Sequence, residues 1–167
     1  MTDQAVRLRV SLIAFALAAI GCPYHAGLRA PHHLDEAAKM FMPPPGQASL
    51  YVYRLGGIYP ADYFSIHVTV RAQYVGFMGR RTYLKIDLSP GHHVLSATIR
   101  LEKTGAWYPT GADLHLELAA DHVYFVRVET RWPEPVDPPT VRLMDEAQGK
   151  REMEKCALVS GVDVAAQ

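Results

Sequence analysis

From Ala48 onward the chain alternates apolar and polar residues with a period of two. In Ser49-Leu-Tyr-Val-Tyr-Arg54 strand formers follow one another with that period. Ile66, Val68 and Val70 alternate with His67 and Thr69, and Tyr74-Val-Gly-Phe-Met78 forms a shorter run. Leu84, Ile86 and Leu88 take one side while Tyr83, Lys85 and Asp87 take the other. The same rule sorts Leu95, Ala97, Ile99 and Leu101 from Ser96, Thr98 and Arg100. It recurs at Leu114–Leu118 and Tyr124–Glu129, and Val141–Met144 closes the set. About eight short strands separated by turn signals predict a mainly β fold, an antiparallel sandwich or half-open barrel. Alternation, instead of solid apolar runs, predicts sheets with one wet face. Leu84, Ile86, Leu95, Ile99, Leu116, Val126 and Val128 are the expected core.

The turns are legible as well. Ser89-Pro-Gly-His92 places Pro second and Gly third, as a type II turn requires. Gly56-Gly57 breaks the chain after the first strand, and Ala119-Ala-Asp121 tightly links two later ones. From Asp145 to Cys156 the alternation gives way to helix formers, predicting a short C-terminal helix, with Gly149 weakening it by about 1 kcal/mol relative to Ala. Residues 157–167 read as a tail.

The segment before Ala48 has a different character. Arg7 and Arg9 precede an apolar run, Val10–Ile20, that ends in Gly21-Cys22. That run is about 11 residues, too short to span a bilayer as a helix and of a length that suits a secretory signal. A buried core helix is the competing reading, and nothing in the run is polar enough to form an outer face. Ala19-Ile-Gly-Cys22 resembles a bacterial lipobox, although Ala19 stands where Leu is most usual. The expectation is a signal peptide over 1–21 and acylation of Cys22; ordinary cleavage to a soluble product is the alternative. More than one acyl chain anchors stably, at ~0.8 kcal/mol per buried methylene. This places the protein in the bacterial cell envelope, facing the periplasm. Pro23 leaves open whether the inner or the outer membrane receives it. Residues 22–47 form a tether, stiffened by Pro43-Pro-Pro45, with a short helix over Leu34–Phe41 that packs on the domain or lies against it.

Composition adds one exclusion. Lys plus Arg equals Asp plus Glu at 17 each, and removing a leader with Asp3, Arg7 and Arg9 leaves 15 basic against 16 acidic residues. No net field draws the chain to nucleic acid.

Three blocks together resemble a known family. Ala48–Arg54, Tyr83–Ala97 with its Pro90-Gly91 turn, and Leu116–Val128 are similar, in that order, to the DUF2846 group of bacterial lipoproteins over roughly residues 45–155. The Pro-Gly turn with its following strand is shared with PEGA-type domains. The resemblance implies a lipid-anchored, Ig-like or prealbumin-like β-domain over 48–156, and no reaction, cofactor or catalytic residue. The aromatic Gly105–Gly111 segment is a departure and puts specificity in doubt.

Candidate chemistry is sparse. Eight histidines invite a metal site, yet His32-His33 and His92-His93 are adjacent, and strand neighbours face opposite ways. His115 and His122 flank a turn and can approach across a hairpin, with no carboxylate or cysteine spaced to complete a site. Ser65, Ser89, Ser96 and Ser160 lack a Gly-x-Ser-x-Gly setting. Asp62, Asp87, Asp113 and Asp121 read as solvated carboxylates. No catalytic, cofactor or metal residue is therefore assigned. The aromatics carry more. Tyr51 and Tyr53 share a strand face, while Trp107, Tyr108 and Trp132 fall in Pro-rich loops and form the candidate binding surface for a protein or glycan. The other reading has these rings capping the ends of the sandwich. Gly79-Arg80-Arg81 is a basic turn for lipid headgroups or an acidic partner, or a solvated hairpin tip. Cys156 is an odd thiol once Cys22 is acylated; a Cys22–Cys156 disulfide requires that Cys22 is not. Two functions follow as expectations: a non-enzymatic binding or assembly module of the envelope, and as alternative an envelope polymer hydrolase or metal-dependent enzyme.

Overall fold

The computed structural model describes residues 29–56, 64–101, 104–130 and 138–160. Cys22 and Trp132 lie outside them, as do the leader and the tether up to residue 28. The described residues hold nine strands and two helices. In chain order these are α1 (His32–Ala38), β1 (Ala48–Arg54), β2 (Phe64–Val70), β3 (Gln73–Met78), β4 (Thr82–Leu88), β5 (Gly91–Leu101), β6 (Trp107–Leu118), β7 (Val123–Glu129), β8 (Thr140–Met144), α2 (Glu146–Met153) and β9 (Ala157–Leu158).

Two sheets stack as a β-sandwich, one ordered β8-β7-β1-β4-β9 and the other β3-β2-β5-β6. Every pairing in the four-stranded sheet is antiparallel. In the five-stranded sheet β1 runs parallel to β7, and β4 parallel to β9. The seven expected core residues are all buried. Six of them line the inter-sheet core with Leu50, Val52, Ile66, Val68 and Met78.

The expected strands are all present, and the tail contributes one more. Ala157 and Leu158 pair with Thr82 and Tyr83, and Val159 is buried, so the fold runs past the predicted boundary at 156. Two residues carry too little pattern to announce a strand. Gly91, expected to supply a positive φ, has φ +118°, which an L side chain rarely adopts, and it is already the first residue of β5.

The expectation of one wet face per sheet fails at a central strand of each sheet: β2 is buried at every residue but Thr69. In β1 every residue is buried, on both faces. Tyr51, Tyr53, Tyr83 and Phe125 point away from the inter-sheet core into a second apolar cluster with Ala38, Met153 and Cys156. The two helices cover this cluster, making a third layer. Tyr51 and Phe125 stack at 5.4 Å, and Phe41, just after α1, meets both edge-on. Tyr51 and Tyr53 therefore belong to the core and offer no binding rim.

Polar contacts fasten the helices. The Tyr51 hydroxyl donates to the Ala38 carbonyl at 2.6 Å, and Asp35 accepts from the Leu158 backbone N–H at 2.8 Å. Lys39 Nζ donates to Asp35 and to the Cys156 carbonyl, both at 2.8 Å. On α2, Asp145 caps the helix by accepting from the Gln148 N–H. Glu152 accepts from Tyr53 at 2.6 Å, Arg127 at 3.0 Å and Gln148 at 2.9 Å. No helix of the described residues is long and apolar enough to cross a membrane.

Candidate functional site

One sheet is roofed by helices; among the described residues no helix covers the outer face of β3-β2-β5-β6, where Ser65 and His67 of β2 are buried and Tyr74 and Trp107 at its edges are exposed. Its occupants follow from register. Ser65, His67 and Thr69 of β2 stand opposite Arg100, Thr98 and Ser96 of β5. His67 also stands opposite Phe77 of β3, and Arg100 opposite Trp107 of β6. Their sequence neighbours Ile66, Val68, Ala97 and Ile99 are buried. Strand alternation thus sends the alternate residues outward.

At one end of this face the rings gather around His67. Its imidazole stacks on Phe77 at 5.4 Å and on Tyr74 at 5.7 Å, and meets the Trp107 ring edge-on at 4.5 Å. Trp107 and Tyr74 stay open to solvent at 55% and 43% exposure. The Arg100 guanidinium lies 5.8 Å from the Trp107 ring centre, a cation–π distance. Burial pushes the Tyr74 hydroxyl above its ordinary value, and the Arg100 charge pulls it partly back. Thr69, Ser96, Thr98 and Asp113 continue the face as hydroxyls and a carboxylate.

This arrangement revises the predicted surface. Trp107 and Tyr108 lie on β6, because the chain turns back early: Gly105, at φ +67°, donates its N–H to the Leu101 carbonyl, and the Leu101 N–H donates to Ala106. The Pro109 that suggested a loop sits inside this strand's span, beside the register irregularity between Thr98 and Arg100. Trp107 joins the cluster, while Tyr108 is half-buried and makes no ring contact with it among the described residues. Tyr74, Phe77, His67 and Arg100 were missed. Alternation marks His67 and Arg100 as outward, but Tyr74 and Phe77, three residues apart, share that face only through the β2–β3 register irregularity at Val68/Thr69, and only pairing register shows that the four meet.

The other candidates disperse. His92 is exposed and His93 buried, as strand neighbours should be. His115 does not approach His122: its Nδ1 lies 3.3 Å from His92 Nε2 on β5, whereas His122 Nδ1 contacts the Ala120 carbonyl. A hairpin's ends diverge from its turn, but a cross-strand diagonal brings residues into touch. Asp87 accepts from Ser49 and Lys85, and Asp121 from the Gly46 N–H, so both carry structural contacts. Arg80 is half-buried with its guanidinium against Gly56, which leaves Arg81 as the exposed member of that turn. Cys156 is buried, and burial pushes its thiol up to about 11 although Lys39 opposes this.

Ser65 Oγ lies 2.9 Å from His67 Nε2, the reach of a nucleophile and its base. Ser65 is only 1% exposed, however, so no substrate carbonyl can reach it as folded.

No protein-family model matches the chain, and no curated protein matches it.

Proposed function

We propose that this is a lipid-anchored module of the bacterial envelope that binds a glycan, without turnover, on the open face of its four-stranded sheet. One observation carries the reading: the exposed Trp107 and Tyr74 rings are held in place by the buried His67 imidazole, on the one sheet face that no described helix covers. Held rings lose little conformational entropy on binding, which favours affinity. A sugar ring packs its apolar face on an aromatic, and its hydroxyls pair with groups such as those of Ser96, Thr98 and Asp113. Ser65, whose hydroxyl lies 2.9 Å from His67, is only 1% exposed, which weighs against the hydrolase alternative. The lipobox-like Ala19-Ile-Gly-Cys22 and the DUF2846 resemblance support an anchor on Cys22, with 1–21 removed and the domain facing the periplasm.

The test has two arms. A palmitate analogue fed to cells should label the wild type and not Cys22→Ser; an unlabelled, freely soluble wild type sinks the anchor. The full chain should co-sediment with purified peptidoglycan, and Trp107→Ala or Tyr74→Ala should lose that while folding normally. Capture of an envelope protein instead, lost with the same substitutions, would replace the glycan by a protein partner. Polymer turnover abolished by Ser65→Ala or His67→Ala would overturn the module reading.

A further inference from the structure

At the other end of the open face β5 and β6 bring two imidazoles together. His92 pairs in register with Glu117, and His115 with Val94, so the histidines are diagonal neighbours across the ladder. Both are exposed, and His115 Nδ1 lies 3.3 Å from His92 Nε2 with ring centres 5.4 Å apart. That separation is long for a good N–H hydrogen bond, which is usually about 2.7–3.2 Å. It matches another geometry closely. Two imidazole nitrogens, each ~2.0–2.1 Å from one tetrahedral zinc ion, stand about 3.3–3.4 Å apart.

We infer that His92 and His115 form a two-imidazole site for a divalent transition-metal ion. Imidazole selects Zn2+, Ni2+ and Cu2+ over Mg2+ and Ca2+, which prefer oxygen donors, and Cu2+ binds tightest in the usual order. Both ligands sit on paired strands of a sheet, so little ordering is needed to bring them together. Among the described residues no third His, Cys, Asp or Glu clusters with the pair, so solvent completes the coordination. Asp113 and Glu117 put two carboxylates on the same face of β6, and Arg71 at the end of β2 opposes them, with Nη2 3.4 Å from the His92 carbonyl. The ion would bridge β5 and β6 and so favour the folded state over the unfolded one.

The full chain, purified in mild detergent without a polyhistidine tag, is titrated with Zn2+, Ni2+ or Cu2+ alone by calorimetry and in thermal melts. Saturable binding and a raised melting temperature are expected, with Cu2+ tightest and Mg2+ inert. His92→Ala and His115→Ala should each weaken the site by about tenfold or more, since even loss of a ligand's supporting partner costs that much. His122→Ala should leave it intact. In Cu2+ paramagnetic resonance the wild type should show coupling to two imidazole nitrogens, falling to one in each single variant while the far-ultraviolet spectrum is unchanged. Absence of saturable binding, or binding that survives both substitutions, overturns the site.

Discussion

Gly149 lies so close to Phe125 that a Cβ placed on the glycine would fall 2.3 Å from the Phe125 ring and 2.5 Å from its own Cβ. The second of those atoms is fixed to the β7 backbone and cannot swing away. The glycine that weakens α2 as a helix is therefore what lets α2 lie flat on the five-stranded sheet. By propensity alone Gly149→Ala gains about 1 kcal/mol. Overpacking a tight contact typically costs about 1–3 kcal/mol and should win here. Urea unfolding of Gly149→Ala should show a lower midpoint at unchanged slope; a higher midpoint would refute the close approach.

The two carboxylates that fasten the helices should set the acid limit of stability. Burial pushes Glu152 upward, but hydrogen bonds from Tyr53, Gln148 and Arg127 outweigh it, leaving the carboxyl below its ordinary 4.5. Asp35 behaves alike, burial being outweighed by Lys39, the Leu158 N–H and Tyr83, below its ordinary 3.8. A depressed acid contributes stability that is full above its unfolded pKa and lost as pH falls through the folded one. The loss should thus begin near pH 4.5 and continue below 3.8. Glu152→Gln should lower stability at pH 7 by roughly 2 kcal/mol, the scale of hydrogen bonds to a charge, and flatten the acid limb of a stability-versus-pH curve.

Cys156 should be chemically silent in the folded protein. With 4% exposure and a thiol pushed to about 11, it exposes almost no thiolate at pH 8. Iodoacetamide at that pH should modify it only after denaturant is added. Rapid labelling of the native protein would mean that α1 lifts off the sheet far more readily than its contacts suggest.

The β2–β3 hairpin carries removable strain. Val70 pairs with Gln73, leaving a two-residue loop in which Arg71 and Ala72 have φ of 50° and 62°. Such loops favour glycine at the second place, and the left-handed region costs an L residue about 1–2 kcal/mol. Ala72 is exposed, so Ala72→Gly sacrifices no packing. It should raise stability by up to ~1 kcal/mol, read as a higher melting temperature, after the added chain entropy of glycine is deducted.

The fold was largely legible because a half-buried strand writes its burial into every second residue. Leu84 and Ile86, or Leu95 and Ile99, declare their face locally, and Pro90-Gly91 declares its turn. Those signals determined the β-sandwich, the two short helices and the core residues between the sheets. What the sequence left undecided depends on which strands are neighbours. Alternation says that His67 faces outward, but Tyr74 and Phe77 join its side only through the β2–β3 register irregularity, and residues up to 40 positions apart meet only once β3, β2, β5 and β6 take their order. His92 and His115 touch for the same reason. Tyr51 and Tyr53 look like a wet face until α1 and α2 lie over them, because period two marks which side a residue takes and not what later covers that side. Gly149 reads as a flaw in a helix until Phe125 is beneath it. Local periodicity carries burial, whereas register and layer order are long-range, set by the packing of the whole domain.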